Sequence, residues 1–283
     1  MFTLTAVRPD GEKLTLTQFR SAYTVMYAGF GPVAAEVATS SRGMADGVII
    51  NSSRRSKRNP VLTVTIGGNI EQNRIRLYSF FTPGHNVRLC YKNGSRDVYT
   101  EGVVESFECD QFAHPVRAQI SILCPSPHWV GASEIVQSIS GVVSMFAFPF
   151  SIPPEGIEFS SLTGKGYAIV HNNGDEPAGF IVSVYARATV TAPVIYNAIT
   201  NEAFRLNGVL EQGRTLMLNT NTGSKRLTIT DRDGNETNVL HRKQPGSVWL
   251  QLAPGENYIA YSAQSGSDAM IVTLQYNELF VGV

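Results

Sequence analysis

The sequence predicts a mainly β protein of two domains, and three observations predict it. Apolar residues recur at every second position along most of the chain, the period of a strand with one buried face. Turn residues punctuate these runs at short intervals, as they do in sandwiches and barrels. Only one stretch carries helix signals. The 283 residues leave room for one large β domain or two ordinary ones. With 43% hydrophobic and 10% aromatic residues the chain can fill real cores, so it is not a disordered polymer.

In chain order, "VLTVTI" places Leu62, Val64 and Ile66 on one face and Thr63 and Thr65 on the other. "NIEQNRIRLYSFFTPG" reads as the single helix, with Asn69 as N-cap, Glu71 in the first turn and Pro83-Gly84 as its stop. Ile70, Arg74, Leu77 and Phe81 fall near one face of it, flanked by Ile75 and Tyr78. "RLCYKNGSRDVYTEG" sets Asn93-Gly94 between two β-rich runs, a tight hairpin. In "VRAQISILC", Ala118, Ile120, Ile122 and Cys124 point one way.

The prolines of "CPSPHWVGASEI" interrupt sheet pairing and mark the domain boundary, giving domains 1–133 and 134–283. "FAFPFSIPPEGIEFSSL" suits an extended edge segment leading into the second domain. The strand grammar then resumes in "GFIVSVYARA", "KRLTITDRDGNETNVL" and "AMIVTLQY". In "WLQLAPGENYIAY" a Pro-Gly turn separates a Trp-led strand from an alternating one, with Trp249 expected to be buried. Ile259, Tyr261 and Ala263, with Met270, Val272, Leu274 and Tyr276, are expected to close one sheet of a sandwich.

Charge excludes several classes of partner. Residues 1–133 carry 14 Lys+Arg against 10 Asp+Glu, and 134–283 carry 9 against 13, so the halves are near +4 and −4. That is too mild for an electrostatic nucleic-acid or membrane binder. The basic run "SSRRSKRNP", containing Arg54–Arg58, reads as a solvated hairpin loop and only secondarily as a protein contact. The longest apolar run is about a dozen residues, short of the roughly 20 a membrane helix needs. No secretory leader is expected at "MFTLTAVRPDGEK", so Cys90, Cys109 and Cys124 are expected as free thiols in a reducing compartment.

Chemistry-bearing patterns fail one by one. His85, Cys90, Cys109 and His114 form H-x4-C and C-x4-H pairs, but residues five apart on a strand point to opposite faces, so no metal site is expected. "GFGP" at Gly29–Pro32 has no helix after it, and "LTGKGY" has Gly166 where a phosphate loop needs Ser or Thr. His171 and Asp175 lie in a turn-rich "HNNGDEPAGF", and Glu155 and Glu158 lack an aromatic cleft for glycosidase work. No catalytic residue, cofactor site or metal ligand is expected.

Taken in order, "VLTVTIGG", "VRLCYKNGSRDVYTEGVVESFE", "RAQISILCPSPHWVG", "FAFPFSIPPEGIEFSS", "NNGDEPAGFIVSVYA" and "SVWLQLAPGENYIAYSAQSGSDAMIVTLQY" resemble the distal tail (Dit) family of siphophages and prophages of Gram-positive bacteria. The resemblance spans roughly residues 25 to 283, and its closing segment is similar to the family's W-x-x-L-x-P-G-x-N pattern. It implies an N-terminal belt domain, sandwich or barrel-like with one helix, and a C-terminal galectin-like β-sandwich. It implies a non-enzymatic homo-hexameric ring at the virion tail tip, assembled in the host cytoplasm. The ring would join the tail tube protein to the tail-associated lysin or tail spike protein, and in some members would carry a receptor-binding protein. The alternative is a lectin-like module contacting host-surface saccharide, with Trp249 as its aromatic candidate; a cell-wall hydrolase is a distant third.

Overall fold

A computed structural model describes residues 1–19, 21–140, 142–144, 160–162 and 167–283. The protein is mainly β, and its chain divides into two units: Met1–Ser133 together with Leu279–Val283, and Glu134–Glu278. The five residues Leu279–Val283, assigned by the sequence to 134–283, therefore sit with the first unit. The cause is backbone pairing, since Leu279–Phe280 is hydrogen-bonded into a strand of that unit.

The first unit contains β1 (Thr3–Val7), β2 (Lys13–Thr17), β3 (Tyr23–Ala28), β4 (Ala35–Ser41), β5 (Val48–Arg55) and β6 (Val61–Ile66). There follow α1 (Ile70–Phe80), β7 (Asn86–Lys92), β8 (Asp97–Asp110), β9 (Arg117–Leu123) and β10 (Trp129–Gly131). Nine strands run in the order Leu279–Phe280, β10, β8, β7, β1, β2, β3, β6, β9, and β9 pairs back onto β8. That last pairing curls the sheet into a barrel. Closure depends on the length of β8: residues 97–103 pair with β7 and 103–110 with β9. A register shift between Val104 and Ser106 bends β8 between its two partners.

The alternating residues fill the interior as their period requires. Leu62, Val64, Ala118, Ile120, Ile122 and Cys124 are fully buried, alongside Leu4, Ala6 and Leu16. The helix forms where the sequence places it, with the Asn69 side chain accepting from the Gln72 N–H at 3.4 Å. Its buried face is narrower than expected. Leu77, Phe80 and the capping Phe81 enter the core, whereas Ile70 and Ile75 are exposed. The Asn93 hairpin is present with a four-residue turn, because the Asn93 carboxamide oxygen accepts from the N–H groups of Ser95 and Arg96 at 2.8 and 2.7 Å.

The second unit holds two antiparallel sheets around one core. The six-stranded sheet runs Ile135–Ser138, Met270–Tyr276, Phe180–Ala186, Thr215–Asn219, Arg226–Thr230, Glu236–Asn238. The four-stranded sheet runs Tyr167–Asn172, Gly255–Ser262, Val194–Asn197, Ala203–Arg205. Val182, Val184, Leu218 and Leu274 of the first share a core cluster with Val170, Ile195, Phe204 and Ile259 of the second. Most of the segment from Phe146 to Leu162, and the "TGKG" that follows it, lie outside the described residues.

Two expectations for the end of the second unit are corrected. Gly255–Ser262 and Met270–Tyr276 belong to different sheets, not to one. The residues between them lead from one sheet to the other along the surface, with Gly266 at φ +78° and a Cβ there only 2.5 Å from the Thr189 carbonyl oxygen. Trp249 heads no strand and is half-buried, packed on Phe204 at 5.1 Å. The fully buried tryptophan is Trp129, in the first unit. The rest of the W-x-x-L-x-P-G-x-N segment has a structural explanation. Leu252 is buried and bridged to Ala178, and Gly255 turns at φ +94°. The buried Asn257 side chain closes the turn, accepting from the Ala253 N–H at 2.9 Å and donating to the Ala253 carbonyl at 2.7 Å.

Candidate assembly surface

The most unusual local feature is the β4–β5 hairpin. It forms a two-stranded sheet of its own, and every residue of both strands is exposed. Antiparallel register puts Val37, Thr39, Val48 and Ile50 on one face, with Glu36, Ser40, Ile49 and Arg54 on the other. Val37, Val48 and Ile50 are 48, 55 and 67% exposed, and Met44 at the tip is exposed as well. A lone hairpin is marginally stable in water, and two open edges carrying apolar side chains are a template for pairing with another chain. Two polar contacts stiffen it from within. Arg54 Nε donates to Glu36 Oε2 at 3.0 Å, and Ser40 Oγ donates to Asn51 Oδ1 at 3.3 Å. The Arg54 guanidinium holds the Glu36 carboxyl below the usual carboxylate range.

The feet of the hairpin are built quite differently. Arg58 is completely buried, and all five of its N–H donors are used on backbone carbonyls. Nε and Nη2 donate to Pro127 O at 3.1 and 2.6 Å, Nη1 to Gly29 O and Gly31 O at 3.0 and 2.8 Å, and Nη2 to Val281 O at 2.7 Å. The guanidinium lies 5.3 Å from the Trp129 ring, whose Nε1 donates to Phe30 O at 3.1 Å. Burial pushes the Arg58 pKa down, while arginine stays cationic at neutral pH. Gly29 is required here: at φ +76°, a Cβ would stand 2.3 Å from the Asn59 carbonyl oxygen. The first glycine of "GFGP" thus lets one foot approach the other.

The basic run is therefore not a loop, although Arg54, Arg55 and Lys57 are solvated as the sequence suggests. Ser52–Arg55 belong to β5, Arg54 is ion-paired with Glu36, and Arg58 is withdrawn into the interior. The loop of the hairpin lies instead at residues 42–47. The sequence reading missed this because the acceptors that bury Arg58 come from residues 29, 31, 127 and 281, far apart in the chain. A signal for the exposed apolar face did exist. "VII" at Val48–Ile50 breaks the alternation that marks a core-facing strand.

Other candidate sites are less developed. A groove of about 570 Å³ in the first unit is lined by Arg8, Arg88, Glu101, Val103 and Pro125 among others. Its arginines are paired, Arg8 with Asp10 and Glu12 and Arg88 with Glu101. Among the described residues no group of three or more His, Cys, Asp or Glu side chains is placed to hold a metal, and Cys90, Cys109 and Cys124 are free thiols. "HNNGDEPAGF" is held by Asn172, buried, whose side-chain amide donates to Glu176 O and Leu252 O at 3.1 and 2.9 Å. In the second unit Tyr167 stacks on Tyr258 at 6.3 Å, and Lys225 Nζ lies 5.7 Å from the Trp249 ring.

Residues 173–280 match the family described as the siphovirus-type tail component, C-terminal domain, SPP1 Dit type. This region is a Dit-family domain. The resemblance drawn from the sequence is borne out. Among solved structures, SPP1 Dit (gp 19.1), described as a paradigm of the hub adsorption apparatus in phages infecting Gram-positive bacteria, matches with a TM-score of 0.67 at 14% identity over 99% of each chain. Chains from the phage P2 baseplate in its activated conformation, with calcium and with strontium, match at TM-scores of 0.52 and 0.51, with 10 and 11% identity over 100% of each chain. At such identities these structures establish a shared fold, which is that of the Dit protein. No curated protein matches the sequence. The Dit domain and the shared fold support a structural role in the phage distal tail.

Proposed function

We propose that this protein is the distal tail hub of a siphophage of Gram-positive bacteria, a non-enzymatic homo-hexamer whose first units close into a ring. The observation that carries the proposal is the β4–β5 hairpin, with both edges unpaired and Val37, Val48 and Ile50 exposed on one face. Ring closure requires a heterologous contact, in which one patch of a subunit meets a different patch of the next. A hairpin projecting from a rigid barrel suits one side of such a contact. Strand addition would satisfy its open edges, and its apolar face would supply part of the roughly 1,600 Å² of a standard interface.

The ring would sit at the virion tail tip after assembly in the host cytoplasm. It would join the tail tube protein to the tail-associated lysin or tail spike protein, with the second unit offering attachment to a receptor-binding protein. The test is the solution mass of the purified protein by light scattering, with negative-stain imaging of the same peak, for the parent and for Ile50→Asp. A sixfold ring in the parent that dissociates in the variant is expected. A ring unaffected by Ile50→Asp rules out the hairpin as its contact.

A second reading is saccharide binding by the second unit, favoured by its two aromatic features, the half-buried Trp249 and the Tyr167–Tyr258 stack. Glycan binding abolished by Trp249→Ala with the fold intact would establish it.

A further inference from the structure

The hairpin that carries the ring reading has feet tied to a remote part of the chain. One foot is Gly29–Gly31, entering β4; the other is Arg58, just beyond β5. Leu279–Val283 touch both. Arg58 Nη2 donates to Val281 O, and the Val283 N–H donates to Phe30 O at 3.3 Å. Gly282 lies so close to Gly31 that a Cβ on it would stand 3.2 Å from the Gly31 Cα. These residues are in turn fixed to the barrel. Phe280 pairs with Trp129 and Leu279 with Val130 in the sheet, and the Arg96 guanidinium lies 4.0 Å from the Phe280 ring.

We infer that Leu279–Val283 form a strap that holds the assembly hairpin in its docking pose, with Arg58 as the positioning residue that ties both feet to it. The inference rests on the hairpin's being the assembly surface. The physical reason is that the hairpin buries nothing of its own, so its orientation is set by its feet alone. A guanidinium with planar, fixed donor directions is suited to the task. It joins the two feet, the turn at Pro127 and the strap through one rigid group. β1 and β2, separated from Leu279–Phe280 in the sheet by β10, β8 and β7, serve as the internal reference.

The experiment is amide exchange read by mass spectrometry on fragments covering 29–59 and 3–17, in the parent chain and in a chain lacking Leu279–Val283. Exchange through 29–59 is expected to rise about tenfold or more while 3–17 keeps its protection. A peptide of the sequence LFVGV added in trans is expected to restore the parent rate. Unchanged exchange at 29–59 overturns the proposal. Should the truncated chain lose protection throughout, Gly282→Ala in the intact chain decides: faster exchange confined to the feet sustains the strap, and unchanged feet overturn it. Ring formation is scored separately by light scattering. A parent chain that forms no ring counts against the hub reading, whereas the exchange difference still reports on the strap.

Discussion

β5 and β6 are neighbours in the chain and both rich in β-branched residues, yet they meet opposite fates. In β6, "VLTVTI" alternates, and Leu62, Val64 and Ile66 are buried in the barrel. In β5, "VIINSSRR" does not alternate, and every residue is exposed. Both strands carry Val and Ile, but in different patterns. Alternation commits a strand to a core that its own chain supplies, whereas an apolar run without it, beside polar residues on both faces, stays outside that core. Propensity sets the extended backbone in each case, and the pattern decides whether the chain's own core buries it.

That contrast can be broken or sharpened by substitution. The largest stability effect is expected at the hairpin foot. Arg58→Ala leaves the carbonyls of Gly29, Gly31, Pro127 and Val281 without their donor, at a cost of about 4 kcal/mol. It should appear as a lowered thermal transition of the first unit in calorimetry. Leu62→Ala opens a cavity in the barrel and is expected to cost about 3 kcal/mol by denaturant unfolding. Ile50→Ser, the equivalent change in β5, should alter monomer stability by less than about 0.5 kcal/mol while weakening self-association. A comparable loss of stability at both positions would erase the distinction between them.

The smallest effect is electrostatic. Because the folded-state pKa of Glu36 is lowered by Arg54, its contribution is present above the ordinary carboxylate pKa and disappears as pH falls through the depressed value. Protection of the hairpin amides, corrected for intrinsic exchange, should decline slightly in that acidic window while β6 holds. Glu36→Gln should remove the pH dependence. Full exposure of the pair keeps the effect small.

Much of the fold was legible because its causes are local. Asn69 caps the helix through a contact three residues away, and Leu62, Val64, Ala118, Ile120 and Ile122 face inward by simple period two. The partners of the strands were not legible. Gly255–Ser262 and Met270–Tyr276 look like one hairpin in sequence, and only their pairing with strands remote in the chain assigns them to separate sheets. The candidate site was least readable of all. Arg58 stands in a basic run that suggests solvent, and nothing near it in sequence shows that four carbonyls from three distant segments will enclose it. Long-range backbone acceptors leave no trace in composition, whereas long-range apolar contacts do, through the alternation they require.

The pairing of Trp129 with Phe280 also sets a calendar for synthesis. The ribosome releases the barrel strands β1 to β10 first, then the whole of the second unit, and only afterwards the residues that finish the first sheet. A nascent chain interrupted anywhere before Leu279 holds a first unit that still lacks the strand paired with Trp129 and Val130. The order of the codons places completion of the first unit after synthesis of the second.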